Sequence, residues 1–297
     1  MKLRIDKPLD LTDKETHLVL MHSILNILGV LIYNVKELGR MSRDPEVMKP
    51  VVETLENIRE KLDDQAFTHD QLQKFDQLLE YLSSSFVVIY ESFPELKDDD
   101  TYKSEVENIY MVLSELHRRA EEVVAWKKDP FSMTTISPTD LKADMERFFD
   151  AVQNNSRGAY KIDFSEADRP ILNTYKMSLE IDANNDELVV PMVFKDVIRD
   201  VLANARKYSL PGSRIEVKIT QQNGRTSFSC KDEGVGIPES ELENVADLYY
   251  RASSGTARET MGKGVGLTKA LYVTQHLEGE LWITSALSEG TTVEISF

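Results

Sequence analysis

The sequence predicts an α+β protein in two parts, an antiparallel four-helix bundle over residues 1–130 followed by an α/β sandwich over residues 131–297. Three observations predict it. Apolar residues recur at alternating spacings of three and four up to about residue 125, the period of bundle helices. After Asp129-Pro130 the pattern changes to strands mixed with helices. Glycine-rich segments then fall at strand and helix boundaries.

The first helix carries Leu18, Met21, Leu25, Leu28, Ile32 and Val35, and the second Val47, Val51, Leu55, Ile58 and Leu62. The third carries Leu72, Phe75, Leu79, Leu82, Phe86 and Ile89, and the fourth Val106, Ile109, Leu113, Leu116, Ala120 and Val123. Thr12 with Glu15 and Thr68 with Gln71 have capping-box spacing, and Gly39 and Pro45 bracket the first connection. The segment from Pro94 to Asp100 separates the third helix from the fourth. Short connections of this kind make neighbouring helices antiparallel.

In the second part a helix is expected from Pro138 to Val152, with strands near Tyr160–Phe164 and Leu179–Ile181. A helix through Val193, Val197, Val201 and Leu202 follows, then alternating strands at Ile215–Ile219 and Thr226–Lys231. The tail reads as a helix from Leu267 to His276 and strands at Glu280–Ser285 and Thr291–Phe297, so that helices cover one face of a mixed sheet.

Composition narrows the function. The 297 residues are 41% hydrophobic and 29% charged, enough for two cores. A formal charge of −16 repels nucleic acid and anionic membrane, which sets nucleic-acid binding aside. Cys230 is the one cysteine, so no internal disulfide forms, which fits a reducing compartment; a cytoplasmic location is expected. The most apolar stretch, Leu18 to Tyr33, is interrupted by His22, Ser23 and Asn26 and falls short of the roughly 20 apolar residues of a bilayer span, so no direct membrane insertion is expected. The first ten residues lack the apolar run of a secretory signal.

Four local features of the second part carry chemistry. In Asp200–Ser209, Asn204, Lys207 and Tyr208 fall within about one helical turn. An amide oxygen at Asn204 is a hard ligand suited to Mg²⁺, and Lys207 can meet phosphate as a point charge. In Asp232–Pro238 a carboxylate after a strand can accept the exocyclic amine of adenine, while Gly234 and Gly236 let backbone approach the base. In Gly262–Ala270 a glycine-rich turn opens a helix whose amino terminus favours phosphate, with Lys263 adding a full charge. A polar stretch with Arg251 and Arg258 precedes that turn and reads as a mobile lid. The fourth feature enters the last strand at Gly290 and Thr291, whose hydroxyl can complete the adenine pocket.

Together these residues resemble the histidine-kinase ATPase domain of the GHKL superfamily that also includes gyrase and MutL. Asn204, Lys207 and Tyr208 match its N box; Asp232, Gly234 and Gly236 its G1 box; Tyr249, Tyr250 and Arg251 its F box; Gly262, Gly264 and Gly266 its G2 box. One such box alone is weak, but four in order at strand and helix boundaries are specific. The resemblance covers the chain from about residue 130 onward. It implies a Bergerat-type sandwich that binds ATP and Mg²⁺ under a flexible lid. It implies nucleotide contacts from these residues together with Ile237, Lys263, Val265, Leu267 and Thr291, with Asn204 on the metal.

The resemblance also implies a phosphate acceptor. In the kinase family a helical histidine is followed four residues later by Thr or Asn, and His22 with Asn26 has that form. His22 follows the seam residue Met21, on the flank of the stripe where a ring nitrogen is expected to reach solvent. Asn26 shares its face. Neutral imidazole is a competent nucleophile near neutral pH. His17 has no such partner, since Met21 stands at its fourth position, and His69, His117 and His276 read as cap, surface and sheet-edge residues.

The family commonly has an acidic residue directly after the acceptor and often a proline five residues after it; here Ser23 and Ile27 stand there. Asp200, one turn before Asn204, occupies the place of a water-activating glutamate in gyrase-like ATPases, and reads equally as a base, a partner of the metal site or a carboxylate of structural use. Four helices also exceed the hairpin a kinase needs.

Three functions follow. The first is a cytoplasmic histidine kinase that phosphorylates His22, with Asn26 and Asp200 as its other catalytic residues, and passes the phosphate to a response-regulator receiver domain, as a homodimer through the bundle. The second is a degenerate kinase acting as an ATP-binding or phosphorelay docking module. The third is a serine kinase like the mitochondrial dehydrogenase kinases.

Overall fold

The computed structural model describes residues 1–42, 44–64, 74–126, 129–165, 172–183, 186–256 and 263–297. Thr68, His69, Gln71, Leu72, Arg258 and Gly262 lie outside the described residues. The chain is mixed α and β and forms two compact units, Leu11–Lys128 and, together, Met1–Asp10 with Asp129–Phe297. The first ten residues, expected with the helices, belong instead to the unit that holds the sheet.

The helical unit contains α1 (Asp13–Met41), α2 (Lys49–Asp63), α3 (Phe75–Ser92) and α4 (Asp100–Ala125). Thr12 and Glu15 start α1 with a reciprocal capping box: the Thr12 amide donates to Glu15 Oε2 at 2.8 Å, and the Glu15 amide to Thr12 Oγ1 at 3.3 Å. Such a cap stabilises by about 1 kcal/mol. Asp99 caps α4 by accepting from the Thr101 and Tyr102 amides. The helix α1 packs against α2 and α4, and α3 against α4. Val19, Ile24, Leu28, Leu31 and Val35 of α1 are fully buried, each such side chain contributing roughly 1.5–3 kcal/mol over exposure. Gly39, expected at the first connection, lies inside α1, because the buried Leu38 carries the apolar seam past it. By length and composition α1 could cross a membrane, a test that core helices also pass, and 56% of its most apolar window is buried.

The second unit holds a seven-stranded sheet in the order β1-β8-β9-β7-β6-β4-β3. Its strands are β1 (Lys2–Arg4), β3 (Lys161–Asp163), β4 (Thr174–Ala183), β6 (Arg214–Gln222), β7 (Arg225–Asp232), β8 (Glu280–Ala286) and β9 (Gly290–Ser296). The pairs β3/β4 and β4/β6 are parallel and the others antiparallel. A separate antiparallel pair joins β2 (Met133–Ile136) to β5 (Leu188–Pro191). Ile215, Val217 and Ile219 of β6, Phe228 and Cys230 of β7, Leu281 and Ile283 of β8, and Val293 and Ile295 of β9 are buried, with more accessible residues between them. This period of two gives the sheet an apolar face. Against the sheet pack α5 (Pro138–Asn154), beside β3 and β4, α6 (Phe194–Tyr208), beside β7, and α7 (Gly266–His276), beside β8.

Candidate functional site

The sheet register builds one wall of the site. Asp232 is in phase with Phe228 and Cys230 on β7, so its carboxyl is turned onto the buried face. Thr291 of β9 pairs with Asp232 on one side and with Ser285 of β8 on the other, which puts three polar residues in a row at one end of the sheet. Asp232 Oδ1 accepts from the Gly234 amide at 2.8 Å and the Thr291 amide at 3.1 Å. Among the described residues, Oδ2 accepts no hydrogen bond and is left for an incoming donor. Burial pushes the carboxyl up to about 6, against the two amides that favour its charged form. The Thr291 hydroxyl is spent on Ser285 Oγ at 2.9 Å, and Ser285 Oγ accepts from the Ile237 amide at 2.9 Å.

Two glycines fix the loops around this wall. At Gly236 (φ +69°) a Cβ would fall 1.9 Å from the Ala286 carbonyl oxygen, so the loop after Asp232 lies directly on the end of β8. At Gly264 (φ +68°) a Cβ would fall 2.4 Å from the Tyr250 carbonyl oxygen, and the Gly264 carbonyl accepts from the Tyr249 amide at 2.9 Å. The turn that opens α7 is thereby locked to the segment holding Tyr249, Tyr250 and Arg251. Lys263 is exposed at this turn, Val265 is buried beneath it and Leu267 is half-buried.

On α6, Asn204 and Asp200 are one turn apart and meet the start of α7. A Cβ at Gly266 would lie 3.2 Å from Asn204 Nδ2 and 3.4 Å from Asp200 Cβ. Lys207 places its ammonium 4.9 Å from the centre of the Tyr208 ring, and the Tyr208 carbonyl accepts from the Val235 amide at 3.1 Å. Nε and Nη2 of Arg251 are buried and, among the described residues, have no hydrogen-bond partner. A guanidinium in that state can take an anion, since an unpaired buried donor costs roughly 1–3 kcal/mol and more when charged. The sequence reading missed Lys269. It is fully buried on α7, with Nζ 2.9 Å from Asp200 Oδ2 and 3.4 Å from Asp196 Oδ2. Its signal was a lysine within an otherwise apolar helix face, between Val265 and Val273.

Residues 190–297 match the family model described as "Histidine kinase-, DNA gyrase B-, and HSP90-like ATPase". That match lies within the second unit. The curated relatives that the chain resembles are sensor histidine kinases, which are ATP-dependent transferases. YkoH of Bacillus subtilis (strain 168) is 27% identical over 236 residues, 77% of this chain and 48% of YkoH. WalK of the same strain is 30% identical over 125 residues, 41% of this chain and 20% of WalK. The chain thus spans about half the length of YkoH or less of the relatives it matches. Among solved structures, the mycobacterial sensor histidine kinase MprB is 22% identical with a TM-score of 0.40, over 55% of this chain and 97% of that one. The residues of the ATPase domain fit the adenine nucleotide and Mg²⁺ that the family implies: one open carboxylate oxygen for an amine, a buried guanidinium for phosphate, and amide and carboxylate oxygens for a hard cation.

In the helical unit His22 is 7% exposed, not solvent-facing as its place on the stripe suggested, because α1 is buried on more than one face. Asn26 Nδ2 lies 2.9 Å from His22 Nε2. With the amide nitrogen facing the ring, Nε2 holds the lone pair and Nδ1 the proton. His17, also buried, donates through Nε2 to the Leu62 carbonyl at 2.9 Å and so closes the end of α2. His117 is a surface residue beside Asp76 and Glu121, and His276 stacks on Phe131 with ring centres 3.5 Å apart.

Proposed function

We propose that the chain is an ATP-dependent protein-histidine kinase that phosphorylates His22 and supplies a response-regulator aspartate. The observation that carries this reading is the His22–Asn26 pair, with its lone pair on Nε2, in a chain that also holds a histidine-kinase-type ATPase domain. Adenine is selected by Asp232 Oδ2 and phosphate is held by Arg251, Lys263 and the amides that open α7. Asn204 would hold Mg²⁺, which neutralises charge on the phosphates. Once Asn26 releases Nε2, the nitrogen attacks the γ-phosphorus in line with the bridging oxygen. The N–P bond forms, the P–O bond to ADP breaks with its electron pair on oxygen, and the Nδ1 proton passes to solvent. The reading includes an antiparallel bundle, a homodimer through the helical unit and a cytoplasmic location.

The test is incubation with labelled ATP. Acid-labile, base-stable label that is absent from His22→Gln supports the kinase. A second reading, an ATP-dependent docking module, is favoured by the burial of His22 and by Ser23 following it. It predicts nucleotide binding without label, and regulator binding that survives His22→Ala.

A further inference from the structure

Behind the phosphate end of the ATPase domain lies a buried chain of charges that the proposed reaction does not use. Asp144 of α5 pairs with Arg199 of α6, Arg199 with Asp196 at 3.2 Å, Asp196 with Lys269 of α7 at 3.4 Å, and Lys269 with Asp200 at 2.9 Å. Asp144, Asp196, Arg199 and Lys269 are each at most 4% exposed. Arg147, at the surface, adds a cation 3.5 Å from Asp144. Burial pushes the Lys269 ammonium down, but the carboxylates of Asp200 and Asp196 more than offset this and hold it above its ordinary value. The lysine is therefore a fixed cation.

The last link of this chain ends at the site. Asp200 Oδ2 is buried against Lys269, while Asp200 sits beside Asn204 at Gly266, where α7 begins. Oδ1 has no protein partner among the described residues. We propose that Lys269 is a positioning residue: by gripping Oδ2 it orients Asp200 so that Oδ1 would accept from water on a cation that Asn204 would hold. A carboxylate tethered in this way accepts from metal-bound water in one orientation, and freeing it loses that orientation. The inference rests on the nucleotide reading above.

The experiment measures the dissociation constant of a fluorescent ADP analogue with the full chain, in Mg²⁺ and in EDTA, and takes the ratio as the Mg²⁺ enhancement. In Lys269→Met and in Asp200→Asn the enhancement falls about tenfold, while the EDTA value stays within about twofold. In the double variant the loss equals that of Asp200→Asn alone, because both act through one oxygen. If Lys269→Met does not fold, the double variant, which removes both partners of the pair, is compared with Asp200→Asn: equal enhancement supports the assignment, and a further loss overturns it. An unchanged enhancement in a folded but less stable Lys269→Met also overturns it and leaves Lys269 a structural cation. A wild-type chain that binds no ADP in either buffer overturns the nucleotide reading itself, and with it this inference.

Discussion

The two units present their reactive groups in opposite ways. In the ATPase domain the buried Asp232 and the half-buried Arg251 have capacity to spare: one carboxylate oxygen and two guanidinium nitrogens have no partner among the described residues. In the helical unit His22 is as buried as Asp232, yet its Nε2, the nitrogen proposed to react, is already in contact with Asn26. The difference lies in what fixes each group. Around Asp232 the backbone does it, through strand register and a glycine loop that tolerates no side chain. Around His22 side-chain contacts do it, the Asn26 hydrogen bond among them, and one such bond is worth only about 1 kcal/mol. One unit offers unpartnered polar atoms to a ligand as it stands; under the proposed kinase reading the other must release a contact at His22 before it reacts.

The largest effect that tests this contrast is His22→Gln, which is expected to abolish labelling while leaving ADP affinity within about twofold, since every residue assigned to the pocket lies in the other unit. Label that survives would remove His22 as acceptor. Next comes Gly236→Ala. The side chain meets the Ala286 carbonyl at 1.9 Å in a left-handed conformation, and a loss of about 3 kcal/mol is expected, read as a fall in the thermal midpoint with weaker ADP binding. A variant with wild-type melting would show that the loop is not fixed by its backbone.

The same contrast explains what could be read from the sequence. The two glycine-containing boxes were legible because they state a backbone constraint in residue type, glycine at Gly236 and Gly264, with a carboxylate at the end of a strand at Asp232. The helices were legible from their seams. Three features were not. A three-residue strand such as β1 has no room for a period-two pattern, and only its pairing with β8, nearly the whole chain away, reveals it. The burial of His22 depends on neighbours wrapping α1 on several sides, which a single amphipathic stripe does not encode. Lys269 stands out only as a lysine between Val265 and Val273 on an apolar helix face, and its partners are unknown until Asp196 and Asp200 are seen to face it.

A smaller effect is the pH dependence of nucleotide affinity. Asp232 is raised from 3.8 to about 6 by burial, so above that value it is the carboxylate that accepts the adenine amine, and below it the acceptor is lost. ADP affinity should fall about tenfold per unit as pH drops below 6, and Asp232→Asn should bind weakly but without this slope. The ligand-free protein moves the other way: the buried charge destabilises the fold fully above about 6, and that cost disappears as pH falls from 6 toward 3.8. A flat affinity profile between pH 5 and 7 would place Asp232 outside the adenine contact.

The smallest effect separates two histidines on one helix. His17 is 8% exposed and spends Nε2 on the Leu62 carbonyl, one of the last carbonyls of α2, which have no N–H donor of their own helix ahead of them. His17→Ala removes that hydrogen bond and should cost about 1 kcal/mol in chemical unfolding, and His17→Gln, which keeps a donor, should recover part of it. Neither should change labelling under conditions where the protein is folded. If the pattern were reversed, with His17→Gln stable but unlabelled, the acceptor would be His17, and the Asn26 contact at His22 would be no more than packing within the helical unit.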